Sequence, residues 1–333
     1  MPATNWQEKV DPGEAQRFEN YAQQLRDLQR HRKTPARILH AKGQLGVSAR
    51  FTVLPDLPEH ARVGPFAAPA TFEAFVRYSN GSGRRQPDGK PDVRGIALKL
   101  VGVIGKKVIP GMENAPTQDF LLIRDRTTPF RSADEFVPFV IAAASPLTGL
   151  PKAIARFGLL RTVRILTKAM KQISRPVLPL AATHYFSAVP IRFGNHAVRY
   201  ALRPLAQPVS NSDRKSPDFL AEELAETLRW QPVEYDFQLQ FFEDETSTPI
   251  EDASVDWPSP YLTVARLTLP VQDVGSDQGK RLTAMVEGLS FDPWHALEEL
   301  RPLGNMMRAR NVAYRVSTEQ RHASREPESG ALA

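Results

Sequence analysis

The chain has 333 residues, 41% hydrophobic and 24% charged, the balance of a soluble globular protein with enough apolar side chains for one large domain or two. Cysteine is absent, which excludes disulfides and thiolate-ligated metal sites. The net charge of +6 is too diffuse to argue for nucleic acid, no run is long enough to span a bilayer, and the first residues lack the apolar core of a signal peptide, so a cytoplasmic location is the default expectation.

In chain order, residues 13–33 read as a charged amphipathic helix or arm that ends in a basic run, Arg30-His31-Arg32-Lys33. An apolar segment around His40 follows, then strands at 47–54, 71–79, 93–103 and 120–123, the second and third separated by a loop at 80–91 rich in Gly, Asp, Pro and Arg. Ser132 can cap a helix over 133–144, and residues 149–174 read as basic helix. Strands recur at 184–192, 197–203, 233–242 and 261–269, with a helix at 217–230 between them. Strands joined by short links, interrupted by helices, predict an antiparallel α+β fold rather than a doubly wound sheet. Residues 324–333 read as a disordered tail.

The last predicted helix runs from about Met306 to Arg321, with Asn305 as its N-cap. Leu303, Met307, Arg310, Tyr314, Ser317 and Arg321 alternate spacings of four and three, so they form one stripe; Ala309, Val312, Ala313 and Val316 form an apolar stripe beside it. Two arginines and a tyrosine along the edge of a buried surface require something flat and anionic to face. Two readings fit these residues: a partly exposed helix with the tyrosine hydroxyl in water, or a ferric haem, with Tyr314 ligating the iron as phenolate, Arg310 one turn earlier holding it ionised and Arg321 pairing with a propionate.

Several stretches resemble, in collinear order over about 290 residues, the haem catalase superfamily in its short, catalase-related peroxidase branch. They are Arg37-Ile38-Leu39-His40-Ala41-Lys42-Gly43, Arg77-Tyr78-Ser79-Asn80-Gly81-Ser82-Gly83, Asp92-Val93-Arg94-Gly95-Ile96-Ala97-Leu98-Lys99, Gln118-Asp119-Phe120-Leu121-Leu122, and Phe291-Asp292-Pro293-Trp294 through Arg301-Pro302-Leu303-Gly304-Asn305 to Arg310 and Tyr314. The resemblance implies an antiparallel β-barrel of catalase type with surrounding helices and no C-terminal flavodoxin-like domain. It divides the chain into an N-terminal arm at 1–33, a haem domain at 34–323 and a tail at 324–333. It implies haem b with Tyr314 on the ferric iron, His40 as the distal acid–base, Ser79 orienting it, and Arg37, Arg77 and Arg321 on the propionates. Phe136 would stack on the distal haem face, with Phe130 and Phe139 near enough to take that place.

Where the family carries a distal asparagine, this sequence has Arg124, or on other alignments Thr117 or Gln118. An Arg124 facing the pocket would stabilise the leaving hydroxide, as a third catalytic residue, and leave dismutation of peroxide poor. The implied enzyme is therefore a haem peroxidase that reduces hydrogen peroxide or organic hydroperoxides through a ferryl intermediate, draws on an organic electron donor, and has weak catalase activity. Two alternatives stay open: an isomerase or lyase of fatty-acid hydroperoxides, like the related allene oxide synthases, and a non-enzymatic haem-binding protein. The basic amphipathic segment 151–174 suits a peripheral membrane contact, a homodimer contact or a cover over the barrel.

Overall fold

The computed structural model describes residues 1–30, 37, 39–143, 147–205, 214–321 and 326–327. Helix α1 (Glu14–Arg30) leads to strands β1 (Lys42–Val53), β2 (Thr71–Asn80), β3 (Arg94–Val101) and β4 (Thr117–Ile123). Helices α2 (Ala133–Ala143), α3 (Gly149–Phe157) and α4 (Leu159–Ile173) come next, then β5 (Tyr185–Phe186), β6 (Ile191–Phe193) and β7 (His196–Pro204). The chain continues through α5 (Phe219–Trp230), β8 (Val233–Phe241), β9 (Tyr261–Leu269), α6 (Asp277–Gly288) and α7 (Asn305–Arg321).

All pairings are antiparallel. β1 lies between β2 and β9, and β5 pairs with both β4 and β7, so the sheet closes on itself as an eight-stranded barrel with β6 attached to β7. Alternate residues of the strands point inward: Val47, Ala49, Phe51 and Val53 of β1 are buried in one core with Phe120, Tyr200 and Phe237. Phe237 sits among Phe51 and Phe120, each with its ring centroid 5.1 Å away, at angles that suit edge-to-face contact. This is the antiparallel α+β fold expected from the strand pattern, closed into the barrel that the resemblance implied.

Four expectations need correction in detail. β1 starts at Lys42, five residues before the apolar alternation begins, because its first residues are buried yet polar: Lys42 donates to Asp88 at 2.7 Å and Gln44 to Asn80 at 2.9 Å. The helix expected over 149–174 is two helices, broken at Gly158, whose φ of 77° an L-residue adopts only with strain. Asn305 does not cap its own helix. Its Oδ1 accepts from Ala133 N at 2.9 Å, at the start of α2, and its Nδ2 donates to Glu14 of α1 at 3.0 Å, so one amide ties three helices together. Helix α6 was not expected at all, although Ser276 caps it by accepting from Gly279 N at 3.1 Å.

Most of the tail expected over 324–333 lies outside the described residues. Glu326 and Pro327 are described and packed: Glu326 reaches Lys99 at 2.6 Å and Thr117 at 2.8 Å.

Candidate functional site

His40 sits just before β1 with φ 56°, a left-handed conformation that costs a non-glycine residue on the order of 1–3 kcal/mol. It is pinned there by its own N–H, which donates to Gly81 O at 3.0 Å, and by Ala41 N, which donates to Ser82 O at 3.1 Å. The ring Nδ1 lies 2.9 Å from Ser79 Oγ on β2, and Ser79 faces Gly95 of β3 in the sheet register. A Cβ on Gly95 would stand 2.6 Å from His40 Cε1, so the imidazole rests on bare backbone at that point. Gly95→Ala should therefore push the ring off its Ser79 partner and slow any chemistry that needs His40, while folding persists. Comparing peroxide reaction rates of Gly95→Ala and Ser79→Ala checks this, and wild-type rates in Gly95→Ala would mean the ring has room to move.

Burial, and then the positive charges of Arg77, Arg310 and Arg37, push the His40 pKa down to about 3. At neutral pH the ring is therefore neutral, with its nitrogens uncharged. Arg310 sits on α7 at the far end of the chain, yet its charge is near enough to act on His40, so the fold brings α7 close to the segment before β1.

Arg37 and Arg77 converge on one carboxylate. Arg77 donates from Nε and Nη2 to Glu287 at 2.7 and 3.0 Å, and Arg37 from Nη1 at 2.8 Å, with Arg37 Nη2 on Leu289 O at 2.9 Å. Arg77 also donates to His40 O at 3.1 Å, so the arginine pair and the histidine are one assembly. Glu287, on the unexpected helix α6, is the residue that sequence reasoning missed; the signal was a Ser276 cap followed by apolar residues at helical spacing. Glu287→Gln should loosen both arginines. With the Glu287 side chain 44% exposed, the loss is about 1 kcal/mol, or roughly fivefold in the affinity of any anionic ligand they hold. A haemin titration of both proteins reads this, and tighter binding in the variant would mark Glu287 as a competitor instead.

On α7, Arg310 Nη2 donates to Tyr314 Oη at 2.8 Å, and its guanidinium carbon lies 5.0 Å from the Tyr314 ring centroid. Although burial works against its charge, the neighbouring Tyr314 raises the Arg310 pKa. Trp294 Nε1 donates to Met307 O at 2.7 Å and fixes this helix against the loop before it. In that loop burial raises the Asp292 pKa to about 6, with Arg310 opposing. Phe136 of α2 packs in one apolar cluster with Leu39, which precedes His40, and Ala313, which precedes Tyr314. It therefore bridges the histidine and tyrosine segments. Phe130 lies 5.3 Å from Phe136 and 5.1 Å from Phe139, on the side of the core. Arg321 is the last residue of α7; its side chain lies outside the described residues.

Arg124 is not brought to this site. Its Nη2 donates to Gln172 O at 3.0 Å, and its charge acts with Asp125, Arg175 and Arg94, not with His40. It lines a cleft of about 500 Å³ with Arg175, His184 and Phe186 on the α4 side of the barrel. Arg124 follows β4 directly with its N–H donating to Arg94 O, and α4 meets its side chain there with the Gln172 carbonyl. The other two candidates for the distal position are also engaged elsewhere. Thr117 Oγ1 is 2.9 Å from His295 Nε2, and Gln118 accepts from Leu297 N at 2.9 Å. Thr117 belongs to a buried ionic cluster in which Lys99 holds Asp119 and Glu326, each at 2.6 Å.

No protein-family model matches the chain. A catalase-related peroxidase of Mycolicibacterium paratuberculosis is 30% identical over 299 residues, covering 86% of this chain and 88% of that protein. Among solved structures, catalase A from Saccharomyces cerevisiae superposes with a TM-score of 0.67 at 16% identity, over 96% of this chain and 68% of its own length. A bacterial catalase gives 0.64 at 17% identity, over 99% of this chain and 64% of its own, so this chain spans just under two thirds of that catalase. A fungal catalase gives 0.63 at 18% identity, over 96% of this chain and 65% of its own. At such identities the structural likeness concerns the fold alone.

Proposed function

The chain belongs to the catalase-related peroxidase family, and from that premise we propose that it is a haem-dependent peroxidase, reducing hydrogen peroxide or organic hydroperoxides with electrons from an organic donor. The observation that carries this reading is a neutral histidine held by a serine and, near enough for its charge to act on that ring, the guanidinium that holds a tyrosine hydroxyl.

The donor set fits haem b. Tyr314 supplies an oxygen ligand whose hydroxyl accepts a hydrogen bond from Arg310 Nη2 at 2.8 Å. Arg37 and Arg77 are already arranged around a carboxylate, which suits them to propionates, and Arg321 follows Tyr314 by seven residues on the same helix. Phe136, packed with Leu39 and Ala313, would border the ring. His40, Arg310 and Tyr314 each keep part of their surface accessible although they lie inside the fold. When bound, the haem supplies the electron transfer that splits the O–O bond.

The remaining chemistry is that of the chain's own side chains. Neutral His40 takes the proton of the peroxide at its imidazole and returns it to the departing oxygen, which leaves as water or an alcohol. Ser79 Oγ, at Nδ1, fixes the ring's orientation and leaves the opposite nitrogen for that transfer. Burial, with Arg77, Arg310 and Arg37, keeps the ring neutral before peroxide arrives.

Weak catalase activity is supported by the fates of Arg124, Thr117 and Gln118, each bonded away from His40. None of these three side chains orients a second peroxide there. The test is a product panel on the haem-loaded protein: hydrogen peroxide, an alkyl hydroperoxide and a fatty-acid hydroperoxide, each with and without a chromogenic donor, beside an oxygen-electrode trace. Donor-dependent reduction with little oxygen release is expected. Donor-independent rearrangement of the lipid substrate, or vigorous oxygen evolution, would overturn the reading.

A further inference from the structure

Helices α3 and α4 carry more apolar surface than their packing needs. Along α4, Thr162, Ile165, Ala169 and Gln172 fall at helical spacing on the inner face, and three of them are buried. Leu160, Val163, Thr167 and Met170 form a second stripe on the opposite side, in which Leu160 is 77%, Val163 50% and Met170 56% exposed. The break at Gly158 places Leu159, 60% exposed, beside Leu160 at the corner between the two helices, and Leu150 of α3 is 54% exposed. Between residues 147 and 178 there are seven lysines and arginines and no acidic residue. Arg161, Lys168 and Arg175 turn inward to Glu135, Ser254 O and Asp125. Lys152, Arg156, Arg164 and Lys171 are exposed, and Arg164 and Lys171 fall two turns apart along one edge of the outer apolar stripe.

We propose that this face is a docking surface for an anionic lipid bilayer. A helix apolar toward solvent and bordered by cations is built to lie at the headgroup boundary, its leucines among the acyl chains and its lysines and arginines among lipid phosphates. Charge selects this occupant over a second copy of the chain. A two-fold contact through the same face would set the exposed cations of one copy against those of the other, with no carboxylate between 147 and 178 to relieve them. Among the described residues no helix is long and apolar enough to cross a membrane, so the contact is with its surface. The assignment rests on this surface alone and does not depend on the reaction proposed above.

The experiment is co-sedimentation of the full-length haem-loaded protein with vesicles of phosphatidylcholine alone or with one third phosphatidylglycerol. Wild type should pellet with the anionic vesicles, less so as salt is raised, and stay soluble with the zwitterionic ones. Lys152→Glu/Arg164→Glu/Lys171→Glu should cut the bound fraction at least tenfold, and Leu159→Ser/Leu160→Ser should do the same at unchanged charge. Lys280→Glu/Arg281→Glu on α6 should bind as wild type does. Melting curves and peroxide reaction rates should be unchanged in the α3–α4 variants. Equal pelleting with both lipids, or anionic binding indifferent to both variants, overturns the proposal. So does a solution dimer that Leu159→Ser/Leu160→Ser splits, since a second copy would then cover the face.

Discussion

His40→Ala should retain haem and slow the reaction with peroxide by about 10²-fold or more, the usual effect of removing a general acid–base. The expectation rests on three features of the native ring. It is held by Ser79 at 2.9 Å, seated on Gly95, and kept neutral by burial and by Arg77, Arg310 and Arg37. Neutrality gives the prediction a second arm. A histidine with an ordinary pKa would lose half of its base form near pH 6.5, whereas one at about 3 keeps it, so the peroxide reaction of wild type should be flat from about pH 8 down to about pH 5. Stability behaves differently. The unfolded chain protonates this ring near 6.5 and the folded chain only near 3, so between those values the unfolded state binds more protons, and stability falls as pH falls. His40→Ala should flatten that part of the curve. Stopped-flow mixing with peroxide and thermal melts across pH read the two arms separately. Wild-type rates in the variant would make His40 a structural residue.

The strands were legible because they alternate, whereas their closure into a barrel came only from the resemblance. Thr71–Asn80 and Tyr261–Leu269 emerge almost where the pattern placed them, since one face meets the core. What was not legible is polar and buried. Lys42, Gln44, Asn80 and Asp88 form a hydrogen-bonded knot that starts β1, and Lys99 with Asp119 lies fully inside, where binary patterning expects apolar residues. The same blindness affected the site. His40, Ser79, Arg310 and Tyr314 were singled out from local motifs, and the structure brings His40 to Ser79 and Arg310 to Tyr314. Glu287 was missed, because nothing local to α6 says that two arginines more than two hundred residues earlier will share its carboxylate. Arg124 failed for the complementary reason. An alignment can number a residue into a pocket, but the partner its side chain takes is decided by long-range packing, here the Gln172 carbonyl of α4 at 3.0 Å. Glu326 shows how far such contacts reach: against the pull of burial, Lys99 and His295 hold its carboxyl down to about 2, at a place in the sequence where composition suggested only a tail.

Tyr314→Phe should abolish most haem binding, and what remains should lack the spectrum of a phenolate ligand. The phenyl ring fills the same space, so the loss isolates one oxygen. Two effects must be separated, however, since Arg310 Nη2 donates to that oxygen at 2.8 Å and would be left without it. An orphaned buried donor costs about 1–3 kcal/mol and more when charged, so the haem-free variant should also melt earlier than haem-free wild type. Poor haem retention could then reflect a loosened α7 and not a missing ligand. The double variant Arg310→Met/Tyr314→Phe decides between them. It removes the orphaned cation together with the oxygen, and replacing both partners of a buried pair with apolar groups of similar shape is close to neutral. Its melting temperature should therefore recover toward that of wild type. If Tyr314 is the iron ligand, haem binding will not recover with it. If haem returns along with stability, or if Tyr314→Phe alone keeps the wild-type spectrum, the oxygen of Tyr314 braces the helix and the iron is held by another residue.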